Sequence, residues 1–144
     1  IPIDDFFVDT FVTALEPDEV LVELRIPIPA PRSGGAYQKL ERKVGDYAIA
    51  GVAVQLRLNE DGMVAEAGIA LTNLGPMPIR ASAAEAALVG QQPTPEVIAR
   101  AAELAAAAAD PVSDLRGPAD YKRAVTKTLA RRALSSAVER AISY

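Results

Sequence analysis

The feature that most constrains the fold is a turn between two stretches of alternating apolar residues. Asn59-Glu60-Asp61-Gly62 separates residues 47–58 from residues 63–72. Alternation with a period of two is typical of a half-buried β-strand, and an Asp-Gly pair supports the positive φ that tight hairpin turns need. The sequence therefore predicts an antiparallel hairpin with one apolar face. The side chains predicted to share that face are Val52, Val54, Leu56, Leu58, Ala65, Ala67, Ile69 and Leu71.

Two more segments upstream have strand patterns. Residues 19–27 alternate apolar and polar positions and end in a proline-rich loop, so they predict a half-buried strand, while residues 36–43 predict a more polar one. Residues 1–16 mix phenylalanine and valine with proline and aspartate, which predicts a loop or short turn that covers one edge of the core. The polar face of the predicted sheet carries Leu21, Glu23, Arg25, Gln55, Arg57, Glu66, Gly68 and Ala70.

After Gly75 the pattern changes from strands to helices. Ser82 and Glu85 have the spacing of a capping box, so they predict a short helix that Gly90 ends. Thr94 followed by Pro95 predicts the start of an alanine-rich helix that runs to residue 109. A last helix is predicted over about residues 118–142, and its two apolar runs are offset, which favours halves that face different surfaces.

Strands that precede helices along the chain are typical of an α+β fold. We expect an antiparallel sheet of three to four strands packed on a layer of helices. Residues 1–144 are expected to form a single domain, with a leading segment at 1–16, the sheet at 18–73 and the helices at 82–143.

Composition excludes several kinds of chemistry. Without cysteine or histidine, this chain itself offers no disulfide, iron–sulfur ligand, thiol nucleophile or Ser-His-Asp triad. A net charge of -4 disfavours a nucleic-acid-binding role. The sequence contains no membrane-spanning apolar run and no signal peptide, so a cytoplasmic location is expected. Because residue 1 is not methionine, we expect a fragment or a processed chain.

Residues 37–47 are the most unusual segment, because a basic strand leads into a Gly-Asp turn and then an aromatic residue. A lysine or arginine of this segment beside the aromatic ring is a combination that can hold an anionic or planar ligand through charge-assisted hydrogen bonds and stacking. An exposed, charged edge strand explains the same residues, since edge lysines are common. Leu21, on a polar strand face, is either an ordinary exposed leucine or a contact with another domain or a cofactor.

At the level of motifs, the chain resembles the C-terminal domain of the flavoprotein (medium) subunit of carbon monoxide dehydrogenase and of xanthine dehydrogenase-type molybdenum hydroxylases. The matching pieces occur in the family's order and cover most of the chain. They are residues 15–21, 26–27, 37–48, 71–81 and 114–123.

The resemblance implies a role in an oxidoreductase. In that family an iron–sulfur small subunit passes electrons from a molybdenum large subunit to FAD, and an N-terminal domain with glycine-rich loops holds the FAD pyrophosphate. This chain has none of those loops, so the resemblance implies a domain that covers the flavin from one side and is inactive as an isolated fragment. The positions matching cofactor-binding residues are Leu21, Lys39, Asp46 and Tyr47, with Gln38 as an alternative to Lys39.

Two other functions are considered for the chain. A subunit-docking module with no direct cofactor role would use the free sheet face or the last helix, where Arg131 and Arg132 are adjacent. An unrelated small-ligand-binding domain has no motif in its favour. The resemblance also implies that the molybdenum subunit, and not this chain, selects the substrate.

Overall fold

A computed structural model describes residues 1–143, which fold into one four-stranded antiparallel sheet, one two-stranded sheet and four helices. In chain order the elements are α1 (Ile3–Phe6), β1 (Phe7–Asp9), β2 (Val12–Thr13), β3 (Ser33–Leu40), β4 (Ala50–Leu58), β5 (Val64–Thr72), β6 (Ile79–Arg80), α2 (Ser82–Leu88), α3 (Pro95–Ala108) and α4 (Ala119–Ser143). The main sheet has the order β3-β4-β5-β6, and β1 pairs with β2.

Helices α2, α3 and α4 form a layer on one face of the main sheet. Helix α4 packs against β3 and β4, α2 packs against β5, and α3 packs against α2 and α4. The core between the layers consists of branched side chains from the sheet and mainly alanine from the helices. This arrangement confirms the predicted α+β class.

The predicted hairpin is confirmed as β4 and β5. Gly62 has a φ of 79° in the connecting turn, and Val52 and Val54 lie opposite Leu71 and Ile69. One detail differs from the prediction, because a bulge shifts the register beside Arg57. Val64 is therefore buried in place of the predicted Ala65.

The predicted strand over residues 19–27 is wrong. The segment pairs with no strand in residues 1–143, and Val22 and Leu24 are 91% and 71% exposed. The fourth strand of the sheet is instead the two-residue β6. Alternating residues suit a strand, but a strand forms only where a neighbouring strand is available for pairing. Because residues 19–27 have no such neighbour, Leu21, Glu23 and Arg25 do not belong to the free sheet face.

Two predicted helix features turn out differently. Thr94 caps α3 as expected, since its Oγ1 accepts a hydrogen bond from Val97 N. The capping box is wrong because α2 starts directly at Ser82 with no side-chain cap. Glu85 turns to the sheet instead, where its Oε1 accepts a hydrogen bond from Ile69 N at 2.9 Å.

Helix α4 buries one continuous stripe, so the expectation that its halves face different surfaces is wrong. The stripe repeats about every four residues and consists of four alanines, two leucines, a threonine and a lysine. The buried residues are Lys122, Thr126, Leu129, Ala130, Ala133, Leu134, Ala137 and Ala141.

Residues 1–14 form a one-turn helix and a short hairpin, which lie beside the open face of the sheet and do not cover an edge of the core. Asp4 pairs with Arg80 of β6 at 3.3 Å, and Thr10 Oγ1 donates to the carbonyl of Pro76 at 3.0 Å. None of these fourteen residues is buried, so polar contacts, and not core packing, hold the segment in place.

No helix within residues 1–143 combines the length and the apolar character needed to cross a membrane.

Candidate functional site

The face of the sheet that points away from the helices is open and shallow. Lys39 and Tyr37 of β3 project from it, and their partners on β4 are Gly51 and Ala53. The predicted free-face residues Gln55, Arg57, Glu66, Gly68 and Ala70 are confirmed there, at exposed or half-buried positions of β4 and β5. The side chains of Tyr37 and Gln55 lie over the neighbouring glycines Gly51 and Gly35.

The loop between β3 and β4 is fastened at both ends. Ile49 N donates to the carbonyl of Leu40 at 2.7 Å, and Asp46 N donates to the carbonyl of Lys43 at 3.1 Å. Gly45 makes the turn with a φ of 85°, which few other residues adopt without strain. These bonds place Asp46 and Tyr47 close to the end of β3, where Lys39 lies.

Arg116 connects Asp46 and Tyr47. Its Nη1 and Nη2 donate to Asp46 Oδ2 and Oδ1, both at 3.0 Å, and its Cζ lies 3.6 Å from the centroid of the Tyr47 ring. The hydrogen bond from Arg116 is the main reason that the pKa of Asp46 lies below its ordinary value. The same pairing raises the pKa of Arg116 further, so both groups stay charged.

Lys39 belongs to the same cluster. Its Nζ donates to the backbone carbonyl of Asp46 at 2.9 Å and lies 2.5 Å from Glu41 Oε2. Pairing with Glu41 raises the pKa of Lys39 above its ordinary value, so the ammonium group is fully charged near neutral pH. Its side chain keeps 29% of its surface exposed, which leaves donor capacity for a ligand.

The loop that carries Arg116 is anchored to α4. Asp114 Oδ1 accepts from Arg116 N at 2.8 Å, and Asp114 Oδ2 accepts from Lys122 Nζ at 2.7 Å. Lys122 Nζ also donates to the carbonyl of Val112 at 3.0 Å. Because the Lys122 side chain is only 2% exposed, the loop is tied to a buried point of the fold.

The structure thus brings Lys39, Asp46 and Tyr47 into one cluster, and their assignment to a cofactor remains a prediction. Gln38 pairs with Val52 on the opposite side of the strand from Lys39, so it does not share this cluster. Leu21 lies outside this cluster, on the unpaired segment at residues 19–27, and is 48% exposed.

Reasoning from the sequence missed Arg116 as a member of this cluster. It is 70 residues from Asp46 along the chain. The signals that could have found it are its place in the break between two helices and in the family-like piece at residues 114–123.

The cluster suits binding better than acid–base or metal chemistry. One face of the Tyr47 ring contacts Arg116, yet the residue is 66% exposed, so the rest of the ring is accessible. Within residues 1–143 no group of three or more histidine, cysteine or acidic side chains is arranged to hold a metal ion. An exposed ring with a cation beside it can hold a planar or anionic group.

Comparison with known proteins identifies relatives of the chain. Residues 35–137 match the family model of the CO dehydrogenase flavoprotein C-terminal domain. The carbon monoxide dehydrogenase medium chain of Hydrogenophaga pseudoflava is 44% identical, over 95% of this chain and 47% of its own length. The 6-hydroxypseudooxynicotine dehydrogenase complex subunit alpha of Paenarthrobacter nicotinovorans is 36% identical, over 98% of this chain and 48% of its own length.

The fold agrees with a solved relative. A chain of carbon monoxide dehydrogenase from Hydrogenophaga pseudoflava, in a form lacking the Mo-pyranopterin moiety of the molybdenum cofactor, superposes with a TM-score of 0.91 at 48% identity. The match covers 95% of this chain and 47% of that one. The chain spans about half the length of the curated relatives it matches, and it belongs to the CO dehydrogenase flavoprotein C-terminal domain family.

Proposed function

We propose that this chain is the C-terminal domain of the FAD-binding subunit of a multi-subunit, cytoplasmic molybdenum hydroxylase, where it covers the flavin that passes electrons from iron–sulfur clusters to an acceptor. Family membership supports the flavoprotein assignment. The observation that carries the flavin contact is the exposed Tyr47 ring beside the charged Lys39. The remaining cofactors would belong to an iron–sulfur small subunit and a molybdenum large subunit.

The residues present fit an isoalloxazine ring system. Tyr47 offers an accessible aromatic surface, and Lys39 offers an ammonium donor that Glu41 only partly covers. When bound, FAD supplies the electron-transfer chemistry, and the protein supplies binding, orientation and electrostatics. In this proposal Tyr47 packs against the ring system, and Lys39 donates a hydrogen bond to it. Asp46 holds the turn that carries Tyr47, and its backbone carbonyl accepts a hydrogen bond from Lys39.

Leu21 has a separate place in the proposal. Its half-exposed side chain would contribute apolar contact near the cofactor once the rest of the subunit is present. The pyrophosphate of FAD would be held by the N-terminal domain, because this chain has no glycine-rich phosphate loop. The isolated chain is therefore expected to bind FAD weakly and to have no activity.

The direct test is made in the complete flavoprotein subunit. Tyr47→Leu and Lys39→Met are expected to change the flavin absorbance spectrum and to weaken FAD binding. The matched controls are Tyr121→Leu, which alters a half-exposed tyrosine on α4, and Lys127→Met, which alters a lysine that also pairs with a glutamate. Unchanged spectra in both site variants would refute the flavin contact.

The docking function is favoured by a different observation, the exposed segment at residues 20–28. Its apolar residues occupy every second position, and they remain 71–95% exposed at Val20, Val22, Leu24, Ile26 and Ile28. Such a row of exposed apolar side chains is typical of a contact surface. The occupant that we propose is the half of the flavoprotein that this chain does not span, since the relatives are about twice as long.

The docking proposal is tested by mixing this chain with the separately produced other half of the subunit. Val22→Asp together with Leu24→Asp should abolish association measured by analytical ultracentrifugation, because buried unpaired carboxylates are costly. Glu60→Gln with Asp61→Asn, in the β4–β5 turn, is the control pair. Association that survives the first pair of changes would exclude this segment as the docking surface.

A further inference from the structure

Arg116 is unusually enclosed for an arginine beside an exposed site. Its side chain is 15% exposed, and that of its partner Asp46 is 16% exposed, whereas the exposed pair of Arg25 and Glu23 retains 89% and 56%. Taking a guanidinium group and a carboxylate out of water is costly unless they form good hydrogen bonds. The two parallel bonds between Arg116 and Asp46 meet that condition.

The guanidinium group does more than pair with a carboxylate. It lies 3.6 Å from the centroid of the Tyr47 ring, within the range at which a cation over an aromatic face is attracted to it. A tyrosine in a loop, two-thirds exposed, would otherwise exchange between side-chain rotamers. Contact with a flat, fixed cation on one side restricts the orientation of the ring.

Arg116 can restrict the Tyr47 ring because hydrogen bonds fix the position of Arg116 itself. Asp114 accepts a hydrogen bond from the backbone N–H of Arg116 and forms an ion pair with the buried Lys122. A continuous chain of contacts therefore runs from the interior of α4, through the α3–α4 loop, to the accessible ring of Tyr47.

We infer that Arg116 is a positioning residue, which fixes the Tyr47 ring in advance so that its accessible face can receive a planar aromatic ligand. The inference rests on the proposed function, in which that ligand is the isoalloxazine ring of FAD. Arg116 acts from behind the tyrosine and is not assigned a contact with the ligand. A fixed ring loses less conformational entropy on binding than a mobile one, so Arg116 raises affinity without adding a contact.

A purely structural role for Arg116, in which it only ties two loops together, leads to different results. Such a role would lower thermal stability but would leave ligand affinity insensitive to whether Tyr47 is present. A positioning role makes the effect of Arg116 on affinity depend on Tyr47. A double-mutant cycle measures that dependence.

The cycle uses the complete flavoprotein subunit with Arg116→Met, Tyr47→Leu and the double variant. FAD dissociation constants come from quenching of flavin fluorescence, and folding is checked by thermal denaturation. Each single change is expected to weaken FAD binding roughly twofold to tenfold, the cost of ordering one side chain on binding. The double variant should bind as Tyr47→Leu does. Lys127→Met, which breaks an exposed lysine–carboxylate pair on α4 away from the open sheet face, should leave affinity unchanged.

Arg116→Lys keeps the fold testable if the methionine variant is unstable. Lysine retains the charge but lacks the planar fork, so it should restore stability while leaving FAD binding weakened. A direct readout of the contact is the NMR shift of the Arg116 side-chain protons, which the ring current of Tyr47 should move upfield. Tyr47→Leu should abolish that shift, and its absence from the wild-type subunit would overturn the inference.

The outcomes separate failure of the inference from failure of the proposed function. If Tyr47→Leu weakens FAD binding but Arg116→Met does not, or if the two effects multiply, Arg116 is not a positioning residue while the flavin contact stands. If Tyr47→Leu leaves FAD binding unchanged, the flavin contact fails and the inference that rests on it fails as well.

Discussion

The two faces of the main sheet are built from the same strands but differ in burial and in role. Leu56 and Val52 of β4 point to the helices and are at most 1% exposed, while Gln55 and Arg57 of the same strand point to solvent or lie half-buried. The closed face carries stability, and the open face presents Lys39 and the loop with Tyr47. Since strand side chains alternate, one strand serves both purposes without compromise.

The closed face depends on small residues. An ideal Cβ on Gly34 of β3 would lie 2.0 Å from the carbonyl oxygen of Ala137 in α4, so the backbones of helix and strand are nearly in contact. Close-packed interiors of this kind tolerate little added volume. On the open face, a Cβ on Gly68 would meet no atom closer than 3.8 Å, which makes the difference between the two positions measurable.

The largest expected effect is a methyl group added to the closed face. Gly34→Ala should destabilise the fold by at least about 3 kcal/mol, because α4 must move away from β3 to admit the new carbon. Gly68→Ala adds the same group to the open face, where the nearest atom is 3.8 Å away, and should change stability by no more than about 0.5 kcal/mol. Urea denaturation of both variants checks the pair. Similar losses would show that the open face is as tightly packed as the closed one.

A smaller effect is expected for the buried end of the contact chain that supports the site. Lys122→Met keeps most of the side-chain volume but leaves the carbonyl of Val112 without its donor, which should cost about 1–2 kcal/mol. Lys127→Met, at an exposed ion pair on the same helix, should change stability little. The midpoint of urea denaturation compares the two. Equal changes would mean that Lys122 does not anchor the loop.

The elements predicted from the sequence are those whose signals are local. The β4–β5 hairpin follows from the Asp-Gly turn and the alternation around it, and α3 follows from Thr94 and Pro95. The strand expected at residues 19–27 is wrong because pairing needs a partner edge, which no pattern in the segment supplies. Strand β6 has only two residues, too few to produce a periodic signal.

The site divides in the same way. Lys39, Asp46 and Tyr47 stand close together in the sequence, so their proximity in space could be expected from it. Arg116 reaches them from the α3–α4 loop, and only tertiary folding brings it there. A lysine such as Lys122 is normally expected at the surface. Its burial depends on the ion pair with Asp114, which the sequence does not reveal.

The smallest expected effect is a pH dependence that compares an enclosed ion pair with an open one. Arg116 lowers the pKa of Asp46, and Arg57 lowers the pKa of Glu66 on the open face. A carboxyl group whose pKa is lower in the folded state stabilises the fold above its unfolded pKa, about 4, and this contribution is lost as pH falls through the folded value. Both contributions should therefore be present at pH 7 and disappear below about pH 4.

Thermal melts of Asp46→Asn and Glu66→Gln across this range measure the two contributions. Asp46→Asn should lower the melting temperature at pH 7 more than Glu66→Gln does, because the Glu66 side chain is 70% exposed while that of Asp46 is 16% exposed. Both differences from the wild type should shrink in acid. An Asp46→Asn difference that persists unchanged below pH 3 would mean that the carboxylate charge is not what holds Arg116, and the turn at residues 43–46 would then owe its shape to backbone hydrogen bonds alone.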